Sequence, residues 1–145
     1  NIDYLTADMV SPIADIHFDL HEIPLEENSF DVIFCNHVLE HVEDDYQCMK
    51  ELYRVMKKGG WGIFQVPIDY NNKETYEDSN ITDPKEREIH FWQKDHLRLY
   101  GLDYPKKLEK VGFKINIFDP KKSLKNFDYE KLRLNPSELI YIASK

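Results

Sequence analysis

Hydrophobic and polar positions along this chain come in blocks. The sharpest is Val32-Ile33-Phe34-Cys35, an apolar, β-branched and aromatic run without the alternation of a half-exposed strand. Such a run predicts a strand buried on both faces, as in a parallel sheet. The chain then turns polar at Asn36, His37, Glu40 and His41. Ligands of open α/β sheets bind beyond the carboxyl ends of strands, so a site signal begins where the core signal stops. Asp44-Asp45 and the periodic set Tyr46, Met49, Leu52, Tyr53, Met56 predict an amphipathic helix with acids in its first turn. Lys57-Lys58-Gly59-Gly60 predicts its end, with cations in the last turn and glycine at a left-handed stop. Trp61 to Pro67 predicts the next buried strand. Together these make a βαβ unit.

On the N-terminal side, Ile2 to Asp8 and Asp15 to Asp19 read as strands that each close on an acid, separated by a Ser11-Pro12 loop. Ile23-Pro24-Leu25 dips inward and Glu26 to Ser29 turns outward, into the central strand. On the C-terminal side, Asp69 to Asp83 has no period and predicts a loop of about fifteen residues; loops this long are usually functional or disordered. Asp83-Pro84 starts a helix to about Gln93, and Asp103-Tyr104-Pro105 starts another that Gly112 stops. Phe113 to Asp119 alternates as a half-exposed strand. Residues 120–137 are basic and polar, with one helical turn near Tyr129 to Leu132. Glu138 to Ala143 is the last strand.

FDVIFCNHVLEHV, ELYRVMKKGG and the strand ending in Val66-Pro67 together resemble the central part of a class I S-adenosylmethionine-dependent methyltransferase, of the small-molecule kind called methyltransferase type 11. The resemblance runs from about residue 4 to the C-terminus and is specific over residues 30–67. It implies an α/β fold: a Rossmann-like sheet, mostly parallel with an antiparallel C-terminal strand pair, in one domain over residues 1–145. Such sheets have the strand order 3-2-1-4-5-7-6. The resemblance also implies S-adenosyl-L-methionine as cofactor and a small molecule as methyl acceptor. Asp8 matches the ribose ligand, Asp19-Leu20 the adenine contact, and Asn36 and His37 the contact to the methionine part. The residues alone leave a loop-starting role open for Asp8 and Asp19. Lys94 to Gly101 resembles the DHxRxYG segment over the mouth of the site. That places His96 as a general base, with His41 second. Arg98 then holds a substrate carboxylate or phosphate, or simply pairs with a neighbouring acid. Trp92 walls a substrate pocket or packs in the core.

One departure from the family is large. Its opening glycine-rich loop, with the strand before and the helix after, has no counterpart here. The five glycines are Gly59, Gly60, Gly62, Gly101 and Gly112, and none forms a Gly-x-Gly-x-Gly run after a strand. The expected domain is therefore truncated, with its first strand and first helix missing. Cofactor binding by this chain is expected to be weak or absent. The gap would close by the second strand sliding against the fourth, or by exchange with a second copy in a homo-oligomer.

Composition narrows the alternatives. With 41% apolar and 13% aromatic residues the chain is a folded domain. A net charge of −8 argues against non-specific nucleic-acid binding. No stretch reaches the roughly 20 apolar residues that span a bilayer, so no membrane partner is expected. The two cysteines lack a CxxC spacing and read as free thiols of a cytoplasmic protein. His37-Val38-Leu39-Glu40-His41 also spells H-x-x-E-H, the zinc-hydrolase motif with two histidines one helical turn apart and a glutamate base. Here His37 follows a strand directly, so the expectation is no bound metal. A zinc hydrolase and a non-catalytic association module stand as the alternatives to methyl transfer.

Overall fold

The computed structural model describes residues 3–124 and 127–145. The first strands, β1 (Ala7–Asp8) and β2 (Ile16–His17), form a parallel pair of their own. β3 (Phe30–Phe34) leads through the polar elbow into α1 (Asp45–Val55), which returns as β4 (Met56–Ile63), parallel to β3. Then come β5 (Tyr76–Glu77), α2 (Pro84–Phe91), β6 (Arg98–Leu99), α3 (Tyr104–Lys110), β7 (Lys114–Phe118), α4 (Pro120–Ser123) and β8 (Ile140–Ser144). The main sheet has four strands in the order β3-β4-β8-β7, with β8 antiparallel to both neighbours. The expected antiparallel C-terminal pair is therefore present.

The Asp44 carboxylate accepts from the Gln47 N–H and caps α1, whose Cys48, Met49, Leu52 and Val55 are buried. α1 stops earlier than its glycines suggested. Met56 is already extended, and Lys57 to Gly60 lie inside β4, beside a register shift between Phe30 and Val32. The Lys145 ammonium donates to the Tyr53 and Arg54 carbonyls at 2.8 and 3.2 Å, satisfying last-turn acceptors that a glycine stop would otherwise meet. The 69–83 segment is not the structureless loop expected from its composition. It contains β5, which pairs antiparallel with β6, and at Gly101 an added Cβ would lie 2.6 Å from the Glu74 carbonyl oxygen.

Ile33, Phe64, Tyr141 and Ala143 meet Met49, Leu52, Tyr104 and Leu108 in one core. The other sheet face carries Val32, Phe34 and Trp61, of which Phe34 is 64% exposed. Among the described residues β1 pairs only with β2, and β3 only with β4. The second strand has thus not slid onto the fourth. The β2–β3 connection is pinned to α1 instead: Glu51 accepts from the Ile23 N–H, and Arg54 donates to the Ile23 and Leu25 carbonyls, each at 2.7 Å. No helix of the described residues is long and apolar enough to cross a membrane.

Candidate functional site

The elbow between β3 and α1 gathers most of the predicted residues. Asn36 Oδ1 accepts from the Gln65 N–H, and the His37 N–H donates to the Gln65 carbonyl at 2.7 Å. These bonds extend the β3–β4 ladder past its end and place His37 in the left-handed region, at φ +56°. The His37 N–H is spent on this ladder, so any backbone contact with a cofactor falls to other groups. Asp8 stands at the end of β1, where the Val10 and Ser11 N–H groups hold its carboxyl below the usual carboxylate range. Asp19 follows β2 and accepts from the His21 N–H and ring, which lower it in the same way. His21 Nε2 in turn accepts from the Asp44 N–H at 3.1 Å. The carboxyl end of β2 is thereby tied to the N-terminal cap of α1, at the end of the elbow that carries Asn36 and His37, and β1 joins it only through its pairing with β2. Leu20, beside Asp19, is half-buried against the core.

A cleft of about 200 Å³ opens beside this elbow, lined by His37, Gln65, Pro67, Tyr70, Trp92 and Glu138 among others. Trp92, read from sequence as a pocket wall or a core residue, lines this cleft and is not packed in the core: it caps α2 at φ +72° and is half exposed. Gln65 was not singled out from sequence. It is buried, donates to the Leu139 carbonyl, and leaves its Oε1 without a partner among the described residues. Its signal was present as the one polar residue inside the apolar run from Trp61 to Pro67.

Arg98 requires a correction. It is 1% exposed and does not reach a substrate. Its guanidinium donates to the Leu39, Val42 and Glu43 carbonyls and, through Nε and Nη2, to the Glu77 carboxylate. All five donors of the fork are used, so it acts as a clamp that fixes the elbow. His41 and His96, expected as bases, do not line the cleft. They meet each other edge to face, with ring centroids 4.7 Å apart, and His96 is 4% exposed. H-x-x-E-H is not helical, because α1 begins only at Asp45. His37 and His41 both lie in the loop between β3 and α1. Cys35 and Cys48 are free and buried, and burial pushes both thiols up to about 12, so neither is a nucleophile at neutral pH.

Residues 4–64 match the family described as "Methyltransferase domain", and this is the stretch that builds β1, β2 and the elbow. The cycloartenol-C-24-methyltransferase of Arabidopsis thaliana is 44% identical over 41 residues, 28% of this chain and 12% of that protein. The Burkholderia thailandensis 1,6-didemethyltoxoflavin-N1-methyltransferase, solved with 1,6-didemethyltoxoflavin and S-adenosylhomocysteine, superposes with a TM-score of 0.61 at 14% identity, covering 96% of this chain and 59% of that one. The [4+2]-cyclase SpnF superposes at 0.56 with 17% identity, covering 88% and 54%. The chain thus spans only part of each protein it matches. Its fold is the Rossmann-like fold of the S-adenosylmethionine-dependent methyltransferases. The resemblance to a type 11-like class I methyltransferase holds in sequence over residues 4–64 and in fold beyond them.

Proposed function

We propose that this chain is the cofactor- and acceptor-facing part of an S-adenosylmethionine-dependent methyltransferase acting on a small molecule. One observation carries the reading. The stretch that matches the methyltransferase domain also carries the polar strand ends: Asn36 sits in the elbow, Asp19 is tied to it through His21 and the Asp44 N–H, and Asp8 ends β1, the parallel partner of β2. The two acids each accept through one oxygen in their own turns, which leaves the other oxygen of each for the ribose hydroxyls and the adenine amine. The sulfonium of the bound cofactor supplies the electrophilic methyl group. What the protein adds is position: Trp92 and Tyr70 wall the cleft, and His37, with its side chain 59% exposed there, accepts the acceptor's proton. His37 takes this role in place of His41 and His96, whose rings point elsewhere.

Fold alone does not decide chemistry, as the resemblance to a cyclase illustrates. Binding is the discriminating measurement. S-adenosylhomocysteine added to the isotope-labelled chain should shift the amide resonances around Asp8, Asp19 and residues 36–37. The affinity should be weak, because no glycine-rich turn follows a strand in these residues. Shifts elsewhere only, or none at saturating ligand, would refute the assignment.

A further inference from the structure

The geometry points to a second site, distinct from the cleft: a divalent transition-metal site of the zinc class, built from Glu40, His41 and His96. One ligand atom from each lies within 4.8 Å of the others. Glu40 is 1% exposed, and its Oε2 has no hydrogen-bond partner among the described residues. A buried carboxylate oxygen left bare is costly, and a cation removes that cost.

The two imidazoles are set up to supply lone pairs. His96 Nδ1 lies 2.8 Å from the Phe91 carbonyl oxygen. A carbonyl only accepts, so Nδ1 carries the proton and Nε2 is the free base of the neutral ring. His41 Nδ1 faces the Asp95 carbonyl oxygen at 3.3 Å and the Asp95 carboxylate at 3.6 Å, which sets the same tautomer. An outer N–H held by a carbonyl or carboxylate is the usual support of a metal-ligating histidine. Two histidines and one glutamate make a three-ligand set that leaves a fourth position open, and His41, with its side chain 30% exposed, gives access to it.

The frame holding these ligands is preformed. The Arg98 fork brackets the Glu40-His41 peptide through the Leu39 and Val42 carbonyls, and the Leu97 N–H donates to the Glu40 carbonyl at 2.9 Å. Both sides of the site are thus locked together. This is not the H-x-x-E-H geometry read from the sequence. His37 is not in the group of ligand atoms that lie within 4.8 Å of one another, and the glutamate takes its place. The inference does not depend on methyl transfer, and it replaces the expectation of no bound metal.

The competing occupant is a proton shared between one imidazole and Glu40. Titrating the metal-free chain with Zn²⁺ in a calorimeter separates the two, with Co²⁺ absorption as a reporter of ligand geometry. One equivalent should bind, the visible cobalt bands should be those of a low-coordinate nitrogen–oxygen site, and bound zinc should raise the melting temperature. Imidazole nitrogen spectra should show metal at Nε2 of His41 and His96, with Nδ1 still protonated. His41→Gln and Glu40→Gln should each weaken zinc at least tenfold, whereas His37→Ala should leave it unchanged. The half-exposed position of His41 makes that variant the one to rely on if a substitution at buried His96 fails to fold. No zinc binding by the folded chain, unchanged binding by His41→Gln, or loss of binding by His37→Ala would each overturn the assignment.

Discussion

Arg98 shows what a single side chain does in this molecule. A buried guanidinium whose donors all end on backbone carbonyls and one carboxylate trades solvation for geometry, and an ammonium cannot reproduce the fork. Arg98→Lys should therefore cost about 2–4 kcal/mol of stability in urea unfolding, with the largest loss of amide protection in residues 39–43. The sequence could not distinguish this clamp from a substrate-binding arginine, because its carbonyl acceptors lie more than fifty residues away and carry no side-chain signature. The positions of Asp8 at the end of β1 and of Asp19 just after β2 were legible, because an acid closing a short apolar run is a local feature. A second residue-scale expectation concerns Glu51, whose carboxyl the Arg54 guanidinium holds below the usual range. A depressed carboxyl stabilises the fold above its unfolded value of about 4.3 and loses that contribution as pH falls through its folded value. The acid limb of the melting-temperature profile should accordingly be shallower in Glu51→Gln than in the parent.

At the scale of elements, two glycines in the same strand should respond differently. A Cβ on Gly62 would lie 2.6 Å from the Ile33 carbonyl oxygen and 2.8 Å from Phe64, across the β3–β4 pair. Gly62→Ala should destabilise by about 1–3 kcal/mol through overpacking. Gly59 has open space around it but φ +79°, so Gly59→Ala should cost only about 1 kcal/mol of backbone strain. Chemical denaturation of both variants gives the comparison. The sequence located these elements well where apolar period and capping agree, as in α1 and at the Asp83 cap of α2. It failed at β5 and β6, whose two-residue pairing across 21 positions leaves no periodic trace. It also misplaced the end of α1, because the Lys145 ammonium takes over the work expected of Gly59.

At the scale of the whole molecule, the expectation of a homo-oligomer turns on the exposed sheet face and on the second edge of β3, which pairs with no other strand among the described residues. Phe34 and Trp61 stand edge to face with ring centroids 5.9 Å apart, on a face where Val32 is also exposed. The expected association with a second copy would use this region, since unpaired strand edges beside apolar surface recruit other strands. Sedimentation should show a dimer or larger species, and Phe34→Lys should shift it toward monomer. A parent chain that stays monomeric at high concentration would remove this reading. The net charge of −8 limits the size of such assemblies without preventing them.

β8 is the latest of the described strands to leave the ribosome, yet it belongs between β4 and β7. Until it arrives, both neighbours wait with bare edges, and the end of α1 lacks the Lys145 ammonium that finishes it. Synthesis order and spatial order thus run against each other. The contacts that close the sheet join positions as far apart as Trp61 and Ser144. Such distant closure places refolding on the slow side, on the order of milliseconds to seconds. During that interval a nascent chain is most open to capture by a chaperone or by another nascent chain. Stopped-flow refolding that finishes within microseconds would show that the sheet assembles by a more local route.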